Sequence, residues 1–580
     1  MAKGYMVPAT KRKLTGAHFT PPELGTFVAE RLCRLMKDLD GPLRVLDPAC
    51  GDGNLLRAMV EVLPDALLRR ITLVGIENDD SSFDALRSRG ADFGRCRTDF
   101  INGDFLDFFN DDGLFEKTQS IEPVDVIVAN PPYVRTQVMG ARRAQALAAR
   151  FGLSGRVDLY QAFLVAMARQ LRPGGILGVI TSNRFLTTKG GMATRRFLRL
   201  NFEILELVDL GDTKLFEAAV LPALVFARKR AAFSRVHVRR EPGFIRIYEA
   251  RDDKSTNAKT ADSVLDCLQP PRSGLYRSNG TTYQVTAGRI PIPGDDARPW
   301  TMLTGPEGEW VSRIQASAEC RIGDIAKVRV GIKSTADKVF IRDDWHLLPP
   351  DRCPEKRHLY PLLSQQDAAK WRSADSCKRR NRVLYTHEVV RGQRKAIEFD
   401  PSSPTWKYLL ENRARLQSRK YVIDAGRAWY ELWVPQDPTA WSLPKVVFPD
   451  ISPEPRFFLD KSGSIVDGNC YWITTNDPDD EDLLYLILGV ANSALMMRYH
   501  DLAFQNKLYS QRRRHLTQYV TDYPIPDRNT TASRRIIQLA RRLSSDDLPP
   551  AKRSQLASEV DELSFVAFGI EERCLTGTAD

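Results

Sequence analysis

Apolar positions in the first 230 residues come in short, nearly unbroken runs. Arg44-Val45-Leu46, Ile71-Thr72-Leu73-Val74-Gly75-Ile76 and Asp125-Val126-Ile127-Val128 each end at a polar or Gly/Pro turn, and Gly175-Ile176-Leu177-Gly178-Val179-Ile180 and Ala223-Leu224-Val225-Phe226 continue the series. Helical stretches such as Tyr160-Gln161-Ala162-Phe163-Leu164-Val165-Ala166-Met167 lie between them. Strands apolar throughout, alternating with helices, predict an α/β fold with a mostly parallel sheet covered on both faces. Such sheets bind ligands at the carboxyl ends of their strands.

After Arg230 the alternation stops. Residues 250–320 are rich in Gly, Pro, Asp, Thr and Ser, with one hairpin-like piece, Thr281-Thr282-Tyr283-Gln284-Val285. From Arg321 to about Asp527 aromatics, arginines and short strand-like runs predominate, which predicts an α+β domain, and the rest of the chain reads as helical and charged. The expected segments are 1–230, a connecting region 231–320, a domain 321–530 and a helical tail 531–580.

The net charge of +11 favours a polyanionic partner. Nine cysteines, an odd number without a Cys-x-x-Cys pair, argue against a disulfide framework or a structural zinc and point to a reducing cytoplasm. No apolar run reaches about 18 residues, so no membrane span is expected. Met1-Ala2-Lys3-Gly4-Tyr5 lacks the apolar core of a secretory signal.

Two loops carry the candidate chemistry. Asp47-Pro48-Ala49-Cys50-Gly51-Asp52-Gly53-Asn54 follows one strand and precedes a helix. Its glycines permit close backbone approach to a ligand, but the spacing is not that of a phosphate loop. Glu77 ends the next strand and can accept from both hydroxyls of a ribose. Asp104 can accept from an adenine amino group, with Phe105 packing on the ring. Acids at three successive strand ends, with no phosphate grip, suit a nucleoside bearing a sulfonium: S-adenosylmethionine.

The second loop is Asn130-Pro131-Pro132-Tyr133. The Asn130 side-chain oxygen and the Pro131 carbonyl form a pair of acceptors for a planar amino group. Pro132 holds the turn without a competing N–H, and Tyr133 can stack on a base. Phe216 is the candidate for the opposite face of that base. Such a site works by positioning and electrostatics, without a covalent intermediate, and a base within a duplex must first leave the stack. Attack at cytosine C5 would need a cysteine nucleophile, and Cys353-Pro354 lies far outside the alternating region. The dispersed histidines offer no metal site.

These residues resemble the amino-group DNA methyltransferases of the adenine-N6 type, in their gamma order of motifs. His18-Phe19-Thr20-Pro21-Pro22 is similar to the family's first loop. Asp47, Ala49, Gly51, Glu77, Asp104 and Phe105 match its cofactor loops, and Asn130 through Tyr133 its catalytic loop, with Asn130 also touching the cofactor. Asp158-Leu159-Tyr160 and Leu171-Arg172-Pro173-Gly174-Gly175 are similar to later motifs, and Leu215-Phe216 falls where a second stacking aromatic is placed. The resemblance implies a Rossmann-like methyltransferase sheet followed by a target-recognition domain. It also implies adenine as the target, where the residue chemistry alone leaves cytosine N4 open.

Gly323-Asp324-Ile325-Ala326-Lys327-Val328-Arg329-Val330-Gly331-Ile332, Lys445-Val446-Val447-Phe448-Pro449-Asp450-Ile451 and Asn506-Lys507-Leu508-Tyr509-Ser510 are similar to parts of family recognition domains. Basic residues interleaved with aromatics suit phosphates and bases, which makes Arg329, Lys333, Lys507, Arg512, Arg513 and Arg514 the candidate contacts to DNA. The expected partner is double-stranded DNA, together with a separate restriction endonuclease for the same site, and a monomer is expected. A fused nuclease, a silent defence component and a protein-glutamine methyltransferase are the competing readings.

Overall fold

The computed structural model describes residues 20–109, 121–133, 139–153, 158–216, 221–231, 241–250, 258–374, 381–508, 512–545 and 548–570. The chain forms two compact units that divide at Pro306 and Glu307.

The first unit is built on one mixed sheet of eleven strands among the described residues. Leu43–Asp47 (β1), Ile71–Glu77 (β2), Arg97–Asn102 (β3), Val124–Ala129 (β4) and Leu171–Ser182 (β5) run parallel in the order β3-β2-β1-β4-β5. Beyond them lie Phe202–Asp209 (β6), Pro222–Lys229 (β7) and Gly243–Glu249 (β8), in the order β7-β6-β8. β7 is antiparallel to both β5 and β6, and β6 is parallel to β8. β4, β5, β6 and β8 therefore end at one edge of the sheet. The α/β class and the parallel start of the sheet agree with the apolar runs. Consecutive strand residues enter opposite cores, Val45 and Val126 on one face and Leu46 and Ile127 on the other. Each fully buried aliphatic side chain contributes about 1.5–3 kcal/mol, which is why these runs need no polar alternation.

The segment 231–320 is not a separate connector. Lys259–Thr260 (β9), Gly274–Ser278 (β10) and Thr281–Arg289 (β11) continue the same sheet beyond β8, in the order β8-β11-β10-β9. Its Gly- and Pro-rich composition hides strands whose partners lie far away in sequence, such as Val285 opposite Ile247. The last part of this segment, from Glu307, belongs to the second unit.

The second unit holds an antiparallel sheet of Ala326–Val330, Cys470–Thr475, Lys445–Pro449 and Phe458–Asp460, in that spatial order. Lys445 and Asp460 form a buried ion pair at 2.9 Å within it. Within the expected helical segment 531–580, the described residues form the helices Thr531–Leu543 and Pro550–Ala567. The helix Thr531–Leu543 buries Ile536, Leu539, Ala540 and Leu543. Ile536 lies so close to Gly489 of the helix Glu481–Ala491 that a Cβ on the glycine would meet it at 2.4 Å. Among the described residues no helix is long and apolar enough to cross a membrane.

Candidate active site

β1 delivers Asp47 to the carboxyl edge of the sheet, and the chain turns through Gly51 and Gly53 into the helix Asn54–Val62. Gly53 has φ +83°, and a Cβ there would lie 2.5 Å from Leu86, so this turn requires glycine on both counts. Asp47 is 1% exposed, and its Oδ1 accepts from the Ala49 N–H at 3.2 Å. Burial, reinforced by the nearby Glu77, pushes its carboxyl up to about 8. Glu77 closes the neighbouring strand. One of its oxygens accepts from the Gly51 N–H at 2.9 Å and the other from the Asp79 N–H at 2.8 Å. Burial raises this carboxyl too, opposed by those backbone donors. Two buried acids at neighbouring strand ends match a ligand that brings positive charge and hydroxyl donors.

Asp104 follows β3. Its Oδ1 accepts from the Leu106 N–H at 2.9 Å, and Arg143 of the helix Ala141–Phe151 lies 3.8 Å from its Oδ2. Phe105 corrects the expectation of a ring packed on a bound base. It is 1% exposed and enclosed by Phe109 and Phe163, at centroid distances of 5.3 and 5.8 Å. Its apolar ring is core beneath the Asp104 loop, with no face left open for stacking.

Asn130 leaves β4 at the same edge. Its Nδ2 donates to Thr20 Oγ1 at 3.1 Å, and the Tyr133 hydroxyl donates to its Oδ1 at 3.1 Å. Thr20 is buried, and two loops 110 residues apart meet in this bond. Burial raises the Tyr133 phenol above its ordinary range, so it stays a neutral donor. Pro131 is buried and Pro132 half-buried. His18 and Phe19 lie outside the described residues.

Phe216 lies in the loop between β6 and β7. It is half-buried and packs on the apolar cluster that contains Leu210. A network invisible in the motif spacing ties this loop down. Asp209 Oδ1 accepts from Asn183 Nδ2 at 3.0 Å and from the Gly211 N–H at 3.1 Å, and its Oδ2 accepts from the Tyr248 hydroxyl at 2.8 Å. Asp212 accepts from the Glu249 N–H at 2.8 Å. Gly211 has φ +48°, and a Cβ on it would strike the Ile247 carbonyl at 2.1 Å, so the loop lies directly on β8. Asn183 and Asp209 could have been suspected as polar residues closing apolar strands. Nothing local marks Tyr248 as their partner.

The candidate DNA contacts of the second unit divide by environment. Lys333 and Arg512 are exposed. Arg329 is half-buried, with its guanidinium 4.9 Å from the Trp472 ring and a donor to Thr474 Oγ1 at 2.8 Å. Lys507 lies 3.5 Å from Asp501, and Arg514 lies 3.1 Å from Asp450. Arg513 is a correction. It is 0% exposed and grips Asp501 through two nitrogens, at 2.5 and 2.7 Å, and also donates to the Pro453 carbonyl. A fully buried guanidinium that already serves a half-buried carboxylate cannot meet a phosphate.

Asn506 is likewise bound inward. Its Oδ1 lies 2.9 Å from His500 Nε2, and its Nδ2 donates to the Arg514 carbonyl at 2.7 Å. His500 Nε2 is therefore the donor, so Nδ1 accepts from the Tyr523 hydroxyl at 2.8 Å. Burial lowers this imidazole to about 4 and keeps it neutral.

Residues 78–216 match the model of the Eco57I restriction-modification methylase family. The chain is 42% identical over 570 residues to the type II methyltransferase M.BanIII of Aneurinibacillus aneurinilyticus, covering 97% of this chain and 98% of that protein. It is 23% identical to the type II methyltransferase M.BstVI of Geobacillus stearothermophilus, over 90% of this chain and 92% of that one. Among solved structures, the chain DrdV in its DNA complex has a similar fold, with a TM-score of 0.53 at 13% identity. That match covers 92% of this chain and 57% of the other. On its near full-length identity to M.BanIII, the chain belongs to the type II methyltransferases of restriction–modification systems.

Proposed function

We propose that the protein transfers a methyl group from S-adenosylmethionine to the N6 amine of an adenine rotated out of a short duplex DNA site. It would act as a monomer and protect that site from a separate endonuclease. The observation that carries this reading is the position of Asn130. Its amide closes β4, bonded to Thr20 and Tyr133, at the edge where Asp47 and Glu77 close neighbouring parallel strands.

The bound cofactor supplies an electrophilic methyl group on a positive sulfur. Asp47, Ala49, Gly51, Glu77, Asp104 and Thr20 surround its expected place. Glu77 keeps lone pairs for ribose hydroxyls beyond the two backbone donors it already serves. Asn130 Oδ1 and the Pro131 carbonyl accept the two amine hydrogens, which draws the nitrogen lone pair out of conjugation with the ring. An amide oxygen can accept two hydrogens, so the amine can join the Tyr133 hydroxyl at Asn130 Oδ1, with the Tyr133 ring against the base. Phe216 covers the other face of the base. Incubation with duplex DNA and methyl-labelled cofactor should place the label on adenine in DNA. Label found only on protein or RNA would refute the reading.

Asp47 makes cofactor binding proton-linked. At neutral pH the ligand-free carboxyl keeps its proton, because burial holds its value near 8. A cation beside it favours the ionised form. Below about pH 8, binding therefore releases a proton, and affinity rises with pH by up to about tenfold per unit before levelling off. Calorimetry in buffers of different ionisation enthalpy should detect this proton at pH 7. Asp47→Asn should bind more weakly, with no pH slope between 6 and 8; an unchanged slope would assign the proton elsewhere.

A further inference from the structure

The strands His387–Val390 and Gln393–Ala396 pair with each other and with no other strand among the described residues. They reverse through Arg391 and Gly392, at φ +52° and +75°, a tight left-handed turn. Every residue from Glu388 to Lys395 is exposed except the half-buried Val389. This segment carries three cations, Arg391, Arg394 and Lys395, against the single carboxylate of Glu388.

The register separates two faces. Val389 stands opposite Arg394, and His387 opposite Ala396. This face is anchored: His387 is 4% exposed with Nε2 3.2 Å from Glu431, and Arg394 donates to the Gln436 carbonyl at 3.0 Å. Glu388 opposite Lys395 and Val390 opposite Gln393 form the other face, and all four are solvent-exposed. The outward face is left to solvent, with 38% of Val390 open to water.

The B-DNA major groove admits a two-stranded ribbon, and this outward set matches its chemistry. Glutamine pairs with adenine N6 and N7, lysine with guanine O6 and N7, glutamate accepts from cytosine N4, and an aliphatic side chain meets the thymine methyl. We infer that this ribbon enters the major groove of the target site and reads base edges through Gln393 and Lys395, while Arg391 at its tip grips a phosphate. The inference rests on the proposed action on duplex DNA. The excess positive charge selects the polyanion as occupant.

The test uses the full-length protein and a duplex pool randomised around modified sites, with sequencing of modified bases. Gln393→Ala and Lys395→Ala should each raise KM for the preferred site roughly 5- to 150-fold and relax selection at one position. Turnover at saturating DNA should hold within about twofold, because neither residue touches the reacting amine. Arg391→Ala should weaken all sequences alike and reduce the salt slope by about one. In the unmodified protein, duplex DNA should shield Lys395 from an amine-acylating reagent, a readout that needs no variant. Variants with unchanged site preference and KM, or a Lys395 equally reactive with and without DNA, would overturn the ribbon's role. A wild-type protein that fails to methylate DNA would instead overturn the proposed function beneath it.

Discussion

Asn130→Ala should reduce methyl transfer to DNA roughly 10²–10³-fold, the scale set by removing one preorganised polar contact to a reacting group. The change deletes the acceptor at the end of β4 and two hydrogen bonds, to Thr20 and from Tyr133. Each bond contributes about 0.5–1.5 kcal/mol to stability, so in a chain of this size thermal unfolding should shift by only a few degrees. Tyr133→Phe separates the two functions of the loop. It removes the hydroxyl bonded to Asn130 but keeps the ring, and it should cost about tenfold or less. Single-turnover transfer with cofactor and DNA both saturating measures the chemical step directly. Near wild-type turnover in Asn130→Ala would remove the amide from the mechanism.

Arg513→Ala should lower stability by about 1–3 kcal/mol, because it removes two charge-assisted hydrogen bonds from Asp501, a half-buried carboxylate that keeps Lys507 beside it. Burial alone would raise Asp501, yet Lys507 and Arg513 together hold it below the ordinary carboxylate range. Arg512→Ala, one residue earlier and exposed, should change stability by no more than about 0.5 kcal/mol. Replacing the pair together, as Arg513→Met with Asp501→Leu, should recover part of the loss, because the buried guanidinium and its half-buried partner leave together. Calorimetric unfolding of the four proteins decides the matter. An Arg513→Ala protein with wild-type stability and weakened DNA binding would restore the surface role first expected for this arginine.

The three adjacent arginines show where reading by composition fails. Arg512 is exposed, Arg513 fully buried and Arg514 paired with Asp450. Nothing local distinguishes them, and the choice is made by Asp501, twelve residues earlier, on a helix that packs nearby. The ribbon was missed for a related reason. Arg391-Gly392 is a turn signal in any chain, and its isolation from other strands appears only once every pairing is known. The local hairpin of β10 and β11 left a trace in Thr281–Val285, but its place in the main sheet was concealed because β11 pairs with the distant β8 and β8 with β6. Phe105 follows an acid at a strand end as a ligand-packing ring would, and only its enclosure by Phe109 and Phe163 makes it core.

Sequence alone determined the parallel start of the sheet, the strand-end acids Asp47 and Glu77, and the Asn130 turn. Each depends on short-range patterns: continuous apolar runs that must be covered on both faces, and glycine or proline turns that end them. Tertiary structure decided which polar residues face inward and which remain in water. That choice depends on whether a partner separated by tens or hundreds of residues arrives to satisfy a buried charge or donor. Thr20 reaches Asn130, Tyr248 reaches Asp209 and Asp501 reaches Arg513 only after the chain has closed around them.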